Sequence, residues 1–450
     1  MNPLETIFIN TWNSLSNRAA KRLSGGLPLG KIVLDERVSD EMYFLPTAMR
    51  TQHMAVEGAT GSGKTKFIQG LAQHDIDAGR GFVLFDLHGD LFDPLLRYAA
   101  VRRPEDAHRF ILVDPTRQDG VVGINPIEAK DESSRFRLVA EQTRSIADRC
   151  DFKGQRTEEN LRNALFVLSA NGLTLLEAAL LLSSDSYREI LLKNVSNPEV
   201  REYFELRFNP LSDAMKATIR EAALNKFSEF TADPHFRYIL GQRHSTFSFD
   251  DVLNEGKTVL VNLHKGRLGI HAMTMGALIF GALKSAIFRR TSREPYTAYL
   301  DEVQNLVSAD IGIDVLFAEA RKFGVGIVTA NQVSAQLPQH LRAAIGAIGT
   351  RAYFRLSPED ASRAAQELGG SRAMADKLRN LPPRHAIVKS GHYPPQEIRT
   401  LDAPDIKASA ADFTRQSQDI YARSRGQIEA DILSRKPKPE NLKEAIRDWE

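Results

Sequence analysis

Eight consecutive residues constrain this chain more than any other stretch: Gly58-Ala59-Thr60-Gly61-Ser62-Gly63-Lys64-Thr65. They follow the short apolar run His53-Met54-Ala55-Val56 and open a helix-like segment from Lys66 to Asp77. Strand, glycine-rich loop, then helix is the setting in which this spacing has a mechanism. Gly58, Gly61 and Gly63 permit a backbone course and a close approach that a Cβ would obstruct, so successive N–H groups can surround phosphate oxygens. The helix N-terminus adds partial positive charge at the same place. Lys64 is expected on the β- and γ-phosphates and the Thr65 hydroxyl on Mg²⁺. A glycine-rich surface turn with a chance lysine is the plainer alternative, and it gives no reason for every fixed position to be filled. The sequence predicts a nucleoside triphosphate site.

A second half of that site is legible downstream. Tyr299-Leu300-Asp301-Glu302 is an apolar run ending in two carboxylates. Asp301 is placed to hold Mg²⁺, and Glu302 to orient and polarise an attacking water. Alone, such a pair is weak, because many surface strands end in acids. After a phosphate loop in an alternating α/β chain it gains force. Gly326 to Ala330 then delivers Asn331-Gln332 at the end of another expected strand. In open α/β sheets ligands gather outside the carboxyl ends of strands, so Gln332 is expected to bond the γ-phosphate or the water. A loop or capping amide is the alternative. Asp86, His88 and Asp90 cluster in one turn, but without a second cluster they are read as ordering their own loop beside the nucleotide, not as a zinc site.

Composition sets the outer limits. At 450 residues the chain is too long for one ordinary core, and two domains are expected. Hydrophobic and charged fractions of 42% and 26% are those of a globular protein. The net charge of +2 leaves any nucleic-acid contact to local basic patches. Cys150 is the only cysteine, which excludes an intramolecular disulfide and fits a reducing cytoplasm. No apolar run reaches the roughly 18 residues of a membrane span. Residues 3–23 carry Ile7, Phe8, Ile9, Trp12 and Leu15, with Arg18, Lys21 and Arg22 after them. They read as an amphipathic helix packed on the protein's own body, in preference to a signal peptide or a partner- or membrane-docking segment.

Along the chain, Lys31–Leu34, 81–86, 109–114, 258–263, 296–301, 326–330, 351–356 and 385–389 are expected strands, most of them separated by helical stretches. A long helix is expected from about His271 to Arg290. From about Asp131 to Gln242 the spacing turns helical, as in Leu161, Ala164, Leu165 and Leu168. The expected organisation is an N-terminal helical segment (1–30), an α/β nucleotide-binding domain with a mostly parallel sheet (31–130 and 246–404), an inserted all-α domain (131–245) and a polar helical tail (405–450). Residues 435–439 read as a linker within that tail.

GATGSGKT, FDLHGDL, VDPTRQDGVVGINPIE, TVLVNLHKGRLG, YLDEVQNL and EARKFGVGIVTANQ stand in this order. Together they resemble the coupling-protein ATPases of conjugation and type IV secretion, in the HerA/FtsK branch of RecA-like motors. The resemblance covers roughly residues 30–400. It implies a RecA-like P-loop core, a hexameric ring with DNA in its channel and ATP at subunit boundaries, and an all-α domain facing the substrate or a DNA-processing complex. It also implies relaxosome, secretion-channel or nuclease partners, with attachment to the inner membrane only through them. Family members anchored in that membrane carry N-terminal transmembrane helices, and none is found here.

From the resemblance comes a further assignment. Arg321, in Glu319-Ala320-Arg321-Lys322-Phe323-Gly324, is implied to be an arginine finger acting on a neighbour's γ-phosphate, with Arg351 the runner-up. Complementing a helix C-terminus is the alternative for Arg321. Lys265 and Arg267 are expected in a mobile loop on the sheet's C-terminal side, where they could track DNA phosphates. Between Leu341 and Ser390, nine Lys/Arg against four acids give further basicity. The reading is an ATP-hydrolysing DNA translocase. The rivals are a HerA-type motor serving a nuclease, an ATPase handling protein substrates, and an ATP-gated assembly module with little turnover. A silent module has no need of Lys64, Asp301 and Glu302 together.

Overall fold

The computed structural model describes residues 26–435 apart from 118–119, 150–154, 222–232, 270, 307–312, 333–336 and 338. The amphipathic segment 3–23, Cys150 and the Lys436-to-Pro439 part of the proposed linker lie outside these residues. The chain divides into two compact units. One comprises the described residues up to Phe110 with 250–261 and 287–414, and the other 111–249, 262–286 and 415 onward. The grouping differs from the boundaries expected above: 111–130, 262–286 and the described tail beyond 414 go with the helical unit.

The described residues hold thirteen strands: β1 Leu27–Leu34, β2 Arg37–Leu45, β3 Met54–Glu57, β4 Phe82–Asp86, β5 Phe110–Val113, β6 Val121–Val122, β7 Thr258–Asn262, β8 Tyr296–Leu300, β9 Val325–Asn331, β10 Thr350–Tyr353, β11 His385–Ser390, β12 Gln396–Thr400 and β13 Ala422–Arg423. In the first unit the sheet order runs β2-β1-β12-β11-β10-β3-β9-β8-β4-β7. Strands β10, β3, β9, β8 and β4 pair in parallel. On the other flank β10, β11, β12, β1 and β2 alternate in direction. The parallel strands β3, β4, β8 and β9 are buried throughout, which is why they read as unbroken apolar runs. The sheet is mostly parallel, as expected.

The antiparallel flank corrects the sequence reading. Strands at 31–34, 351–356 and 385–389 were expected there, but β12 and the hairpin that β2 forms with β1 were not. The hairpin's turn is Asp35-Glu36, both at positive φ (48° and 64°). Two left-handed residues match the twist of a hairpin, but the pair lacks the Asn-Gly or Asp-Gly signature.

The second unit is chiefly helical, with helices Glu132–Arg149, Gln155–Ala170, Ala178–Ser183, Asp185–Leu192 and Pro234–Leu240. Among the described residues of 131–242 no strand occurs. Pro198 and Pro234 begin helices, after the caps Asn197 and Asp233. The long helix expected after β7 spans His271–Ile287. The tail does not behave as a separate appendage. After helix Ala411–Tyr421, β13 pairs with β6, and helix Arg425–Ser434 opens with a Ser424/Gln427 capping box. Glu429 meets Arg237 at 3.1 Å, and Arg435 meets Glu177 at 3.0 Å, so these residues are part of the helical core.

Candidate nucleotide site

The site lies in the first unit, at the carboxyl edge of the parallel strands. Strand β3 ends at Glu57, the loop runs Gly58–Gly63, and helix Lys64–Asp77 follows. A Cβ on Gly58 would stand 2.6 Å from the Phe354 Cβ and 2.8 Å from the Ser62 Oγ, so only glycine fits. Gly61 and Gly63 have φ of 72° and 112°, open to glycine and strained for other residues. The loop is also held from below. Arg363 Nη2 donates to the buried Glu57 carboxylate at 2.6 Å, which fixes the residue just before Gly58. The sequence reading missed this pair, because nothing local marks two residues so far apart as partners.

Lys64 is buried, and its ammonium donates to the Gly58 and Ala59 carbonyls at 2.5 and 3.1 Å. Burial pulls its pKa down, opposed by the negative charges of Glu302 and Asp301. Among the described residues this cation rests on two loop carbonyls and pairs with no carboxylate, which suits a phosphate-binding loop.

The two carboxylates at the end of β8 are each 6% exposed. Burial pushes Asp301 up to about 7; Asp86 and Glu302 push the same way, against His88 and Lys64. A divalent ion beside Asp301 would hold it ionised. Glu302 occupies the left-handed region, φ 52° and ψ 55°. Burial raises its pKa, but the neighbouring polar side chains of His88, Gln332 and Gln304 outweigh that and hold it below the usual carboxylate range. His88 Nε2 lies 3.9 Å from the Glu302 carboxylate. Gln332 also reaches the loop, accepting a hydrogen bond from the Thr60 hydroxyl at 2.8 Å. Gln332 thus bridges the phosphate loop and Glu302.

Asp86 has a different task. Its Oδ1 accepts the N–H groups of His88 (3.1 Å) and Gly89 (2.8 Å), and its Oδ2 those of Leu91 and Phe92, both at 2.8 Å. Four donors saturate the carboxylate and order its turn. Among the described residues no group of three or more His, Cys, Asp and Glu is arranged for a metal. Mg²⁺ needs no such cage, since it takes one or two carboxylates plus phosphate oxygens and water. Thr65 and Asp301 fit that mode.

Arg321 sits elsewhere. It lies in the turn Ala320–Phe323 before the amino end of β9, whereas Gln332 follows the carboxyl end of the same strand. Seven residues of strand separate the two by about 20 Å. The exposed Arg321 has no acidic partner among the described residues, unlike its neighbour Lys322, which pairs with Glu319 at 2.5 Å. Buried His53 ties this region to β9 and sits directly before β3. Its Nε2–H donates to the Phe317 carbonyl (2.8 Å) and its Nδ1 accepts the Ile327 N–H (3.0 Å). The runner-up Arg351 is engaged in its own chain, with the Glu367 carboxylate, the Gly346 carbonyl and the Tyr353 hydroxyl.

The basic groups expected to favour DNA are also largely engaged. Arg351, Arg363, Lys377, Arg379 and Arg384 pair with Glu367, Glu57, Glu397, Asp376 and Asp402 respectively. The surplus counted along the sequence is therefore not a free cationic track. Lys265 and Arg267 are exposed, but they belong to the second unit and form a helical turn, Lys265–Leu268, where a loop was expected. No described helix is long and apolar enough to cross a membrane.

The profile of the type IV secretion-system coupling protein DNA-binding domain matches residues 44–381. Among solved structures, the bacterial conjugative coupling protein TrwBΔN70 is similar at 14% identity and a TM-score of 0.61, covering 88% of this chain and 93% of that one. The plasmid coupling protein TrwB in complex with ADP and Mg²⁺ is similar at 15% identity and a TM-score of 0.59, covering 88% and 94%. VirB4 of Thermoanaerobacter pseudethanolicus gives 13% and 0.61, covering 85% and 97%. At these identities the likeness speaks for the fold, a RecA-like P-loop core. No curated protein matches the sequence. On the match over 44–381, which takes in the phosphate loop, β8 and β9, the chain belongs to the type IV secretion-system coupling protein family.

Proposed function

We propose that this chain is an ATP-hydrolysing DNA translocase of the coupling-protein family, working as an oligomeric ring. One observation carries the reading: Lys64, Asp301, Glu302 and Gln332 converge on one phosphate loop, with Thr60 hydrogen-bonded to Gln332 and Gln332 beside Glu302. The loop N–H groups and Lys64 hold the triphosphate, Lys64 exchanging its two carbonyl partners for phosphate oxygens. Thr65 and Asp301 would hold Mg²⁺, which would supply charge neutralisation on the phosphoryl oxygens. Glu302 orients the attacking water and accepts its proton, a role for which an ionised carboxylate is required. Gln332 connects the state of the loop to Glu302.

Arg321 acts in trans. The opposite strand end keeps it from its own subunit's phosphates, and its exposure, with no acidic partner among the described residues, leaves it available to a neighbour's. A guanidinium on the developing charge is worth on the order of 10³-fold or more in rate. Mixing Arg321→Ala with Lys64→Ala subunits, each inactive alone, tests both finger and ring. Hydrolysis is expected to recover in part, since some interfaces pair an intact loop with an intact Arg321. Full activity of Arg321→Ala by itself contradicts the assignment. DNA as the substrate rests on family membership; Lys265 and Arg267 are its proposed contacts, and their double alanine variant is expected to lose DNA stimulation and keep basal turnover. If the double variant keeps full DNA stimulation, the contacts lie elsewhere.

A further inference from the structure

The carboxyl edge of the sheet has two sides. On one side of the phosphate loop stand Asp301 and Glu302 after β8 and Gln332 after β9. On the other side lies β10, and β11 runs antiparallel to it, so Arg384, just before β11, lies at this same edge. Strand β12 is antiparallel to β11 in turn, which brings residues 401–405 there too. A triphosphate whose γ-phosphoryl faces Glu302 leaves its nucleoside on the side of Arg384.

What stands there is held in place. Arg384 has φ of 68°, and its N–H donates to the Ser62 carbonyl of the loop at 2.8 Å. Its Cα and Cγ lie 3.1 and 3.2 Å from the point where Gly63 would carry a Cβ, so it abuts the loop one residue before Lys64. The guanidinium is fixed by the Leu401 carbonyl (2.8 Å) and by an ion pair with Asp402. The segment is moored to the phosphate-loop helix as well. Lys66 and Gln69 donate to Asp405 (2.6 and 2.9 Å), and Gln73 donates to the Pro404 carbonyl (3.0 Å).

Resting on the proposal that this loop binds ATP, we propose that Arg384, braced by 401–405, is the wall of the nucleoside subsite, its guanidinium plane stacking on the base. Asp402 already neutralises the guanidinium's charge, so it serves poorly as a phosphate arm, while its flat face, in a side chain 30% exposed, stays available. Stacking reads the face of a base and not its edge, so adenine and guanine nucleotides are served alike.

Calorimetric titration of ATP, GTP and inorganic tripolyphosphate, each with Mg²⁺, into wild type, Arg384→Ala and Arg384→Lys tests this. Both variants are expected to lose about tenfold in affinity for ATP and for GTP, the size of one lost stacking contact on the base, with tripolyphosphate within about twofold of wild type. Lysine fails like alanine because an ammonium has no plane. Equal losses for tripolyphosphate and ATP, full affinity in Arg384→Lys, or no change in either variant would overturn the proposal. The underlying reading fails separately: wild type would bind no ATP, or Lys64→Ala would bind it as tightly as wild type.

Discussion

His53 is a residue whose importance lies in both of its nitrogens. One accepts the Ile327 N–H and the other donates to the Phe317 carbonyl, so the neutral ring is required on both sides. Burial lowers its pKa to about 4; the Phe317 bond opposes that, and the positive charge of Arg321 adds to it. The ordinary value is near 6.5, so the unfolded chain takes up a proton that the native protein refuses. Stability is therefore full above about pH 6.5 and falls as the pH drops towards 4, by about 3 kcal/mol. Denaturant titrations at several pH values check this, and His53→Gln is expected to flatten the slope between pH 6.5 and 4. An unchanged slope would assign the acid sensitivity to other groups. Glu302 and Lys64 were named as site residues from the sequence, because the proposed chemistry demands those residue types at those positions. His53 was not, because its partners come from α/β contacts more than 260 residues away in sequence.

At the scale of elements, the parallel strands were readable for a physical reason. Burial on both faces removes polar residues, as in FVLFD and YTAYL. The hairpin strand β2, RVSDEMYFL, is largely exposed over its first half and reads as loop. The turn after β4 and the end of β3 depend on two carboxylates that sequence reasoning valued differently. Asp86 was named, though its role proved to be four backbone hydrogen bonds. Asp86→Ala strands buried donors and is expected to cost about 3 kcal/mol or more, measurable by urea denaturation, while a chelator leaves wild-type stability unchanged. A chelator-sensitive wild type would revive the metal reading of this turn. Glu57 was passed over. Arg363→Met removes the partner of a buried carboxylate, and a loss of about 3–5 kcal/mol is expected in the same assay, together with weaker ATP binding as the loop's base loosens. Wild-type stability in that variant would show the pair to be dispensable.

For the whole molecule, the change of hydrophobic period near Asp131 points to a helical stretch, and the helices Glu132–Arg149 and Gln155–Ala170 lie in the second unit. The allegiance of the tail was not foreseeable. Ile428 and Ile432 are buried, and only the folded chain reveals the surface they cover. Deleting residues 422–450 is accordingly expected to expose the helical unit to proteolysis while ATP binding at Gly58–Thr65 persists; unchanged protease resistance would make the tail an accessory. The functional proposal is an ATP-driven cycle that DNA stimulates. Its most direct test is steady-state ATP hydrolysis by the purified full-length protein, with and without double-stranded DNA, beside Glu302→Gln. Turnover that rises with DNA in wild type, and vanishes in a variant that still binds ATP, is the expected result. Bound ATP with no turnover in wild type, with or without DNA, would contradict it.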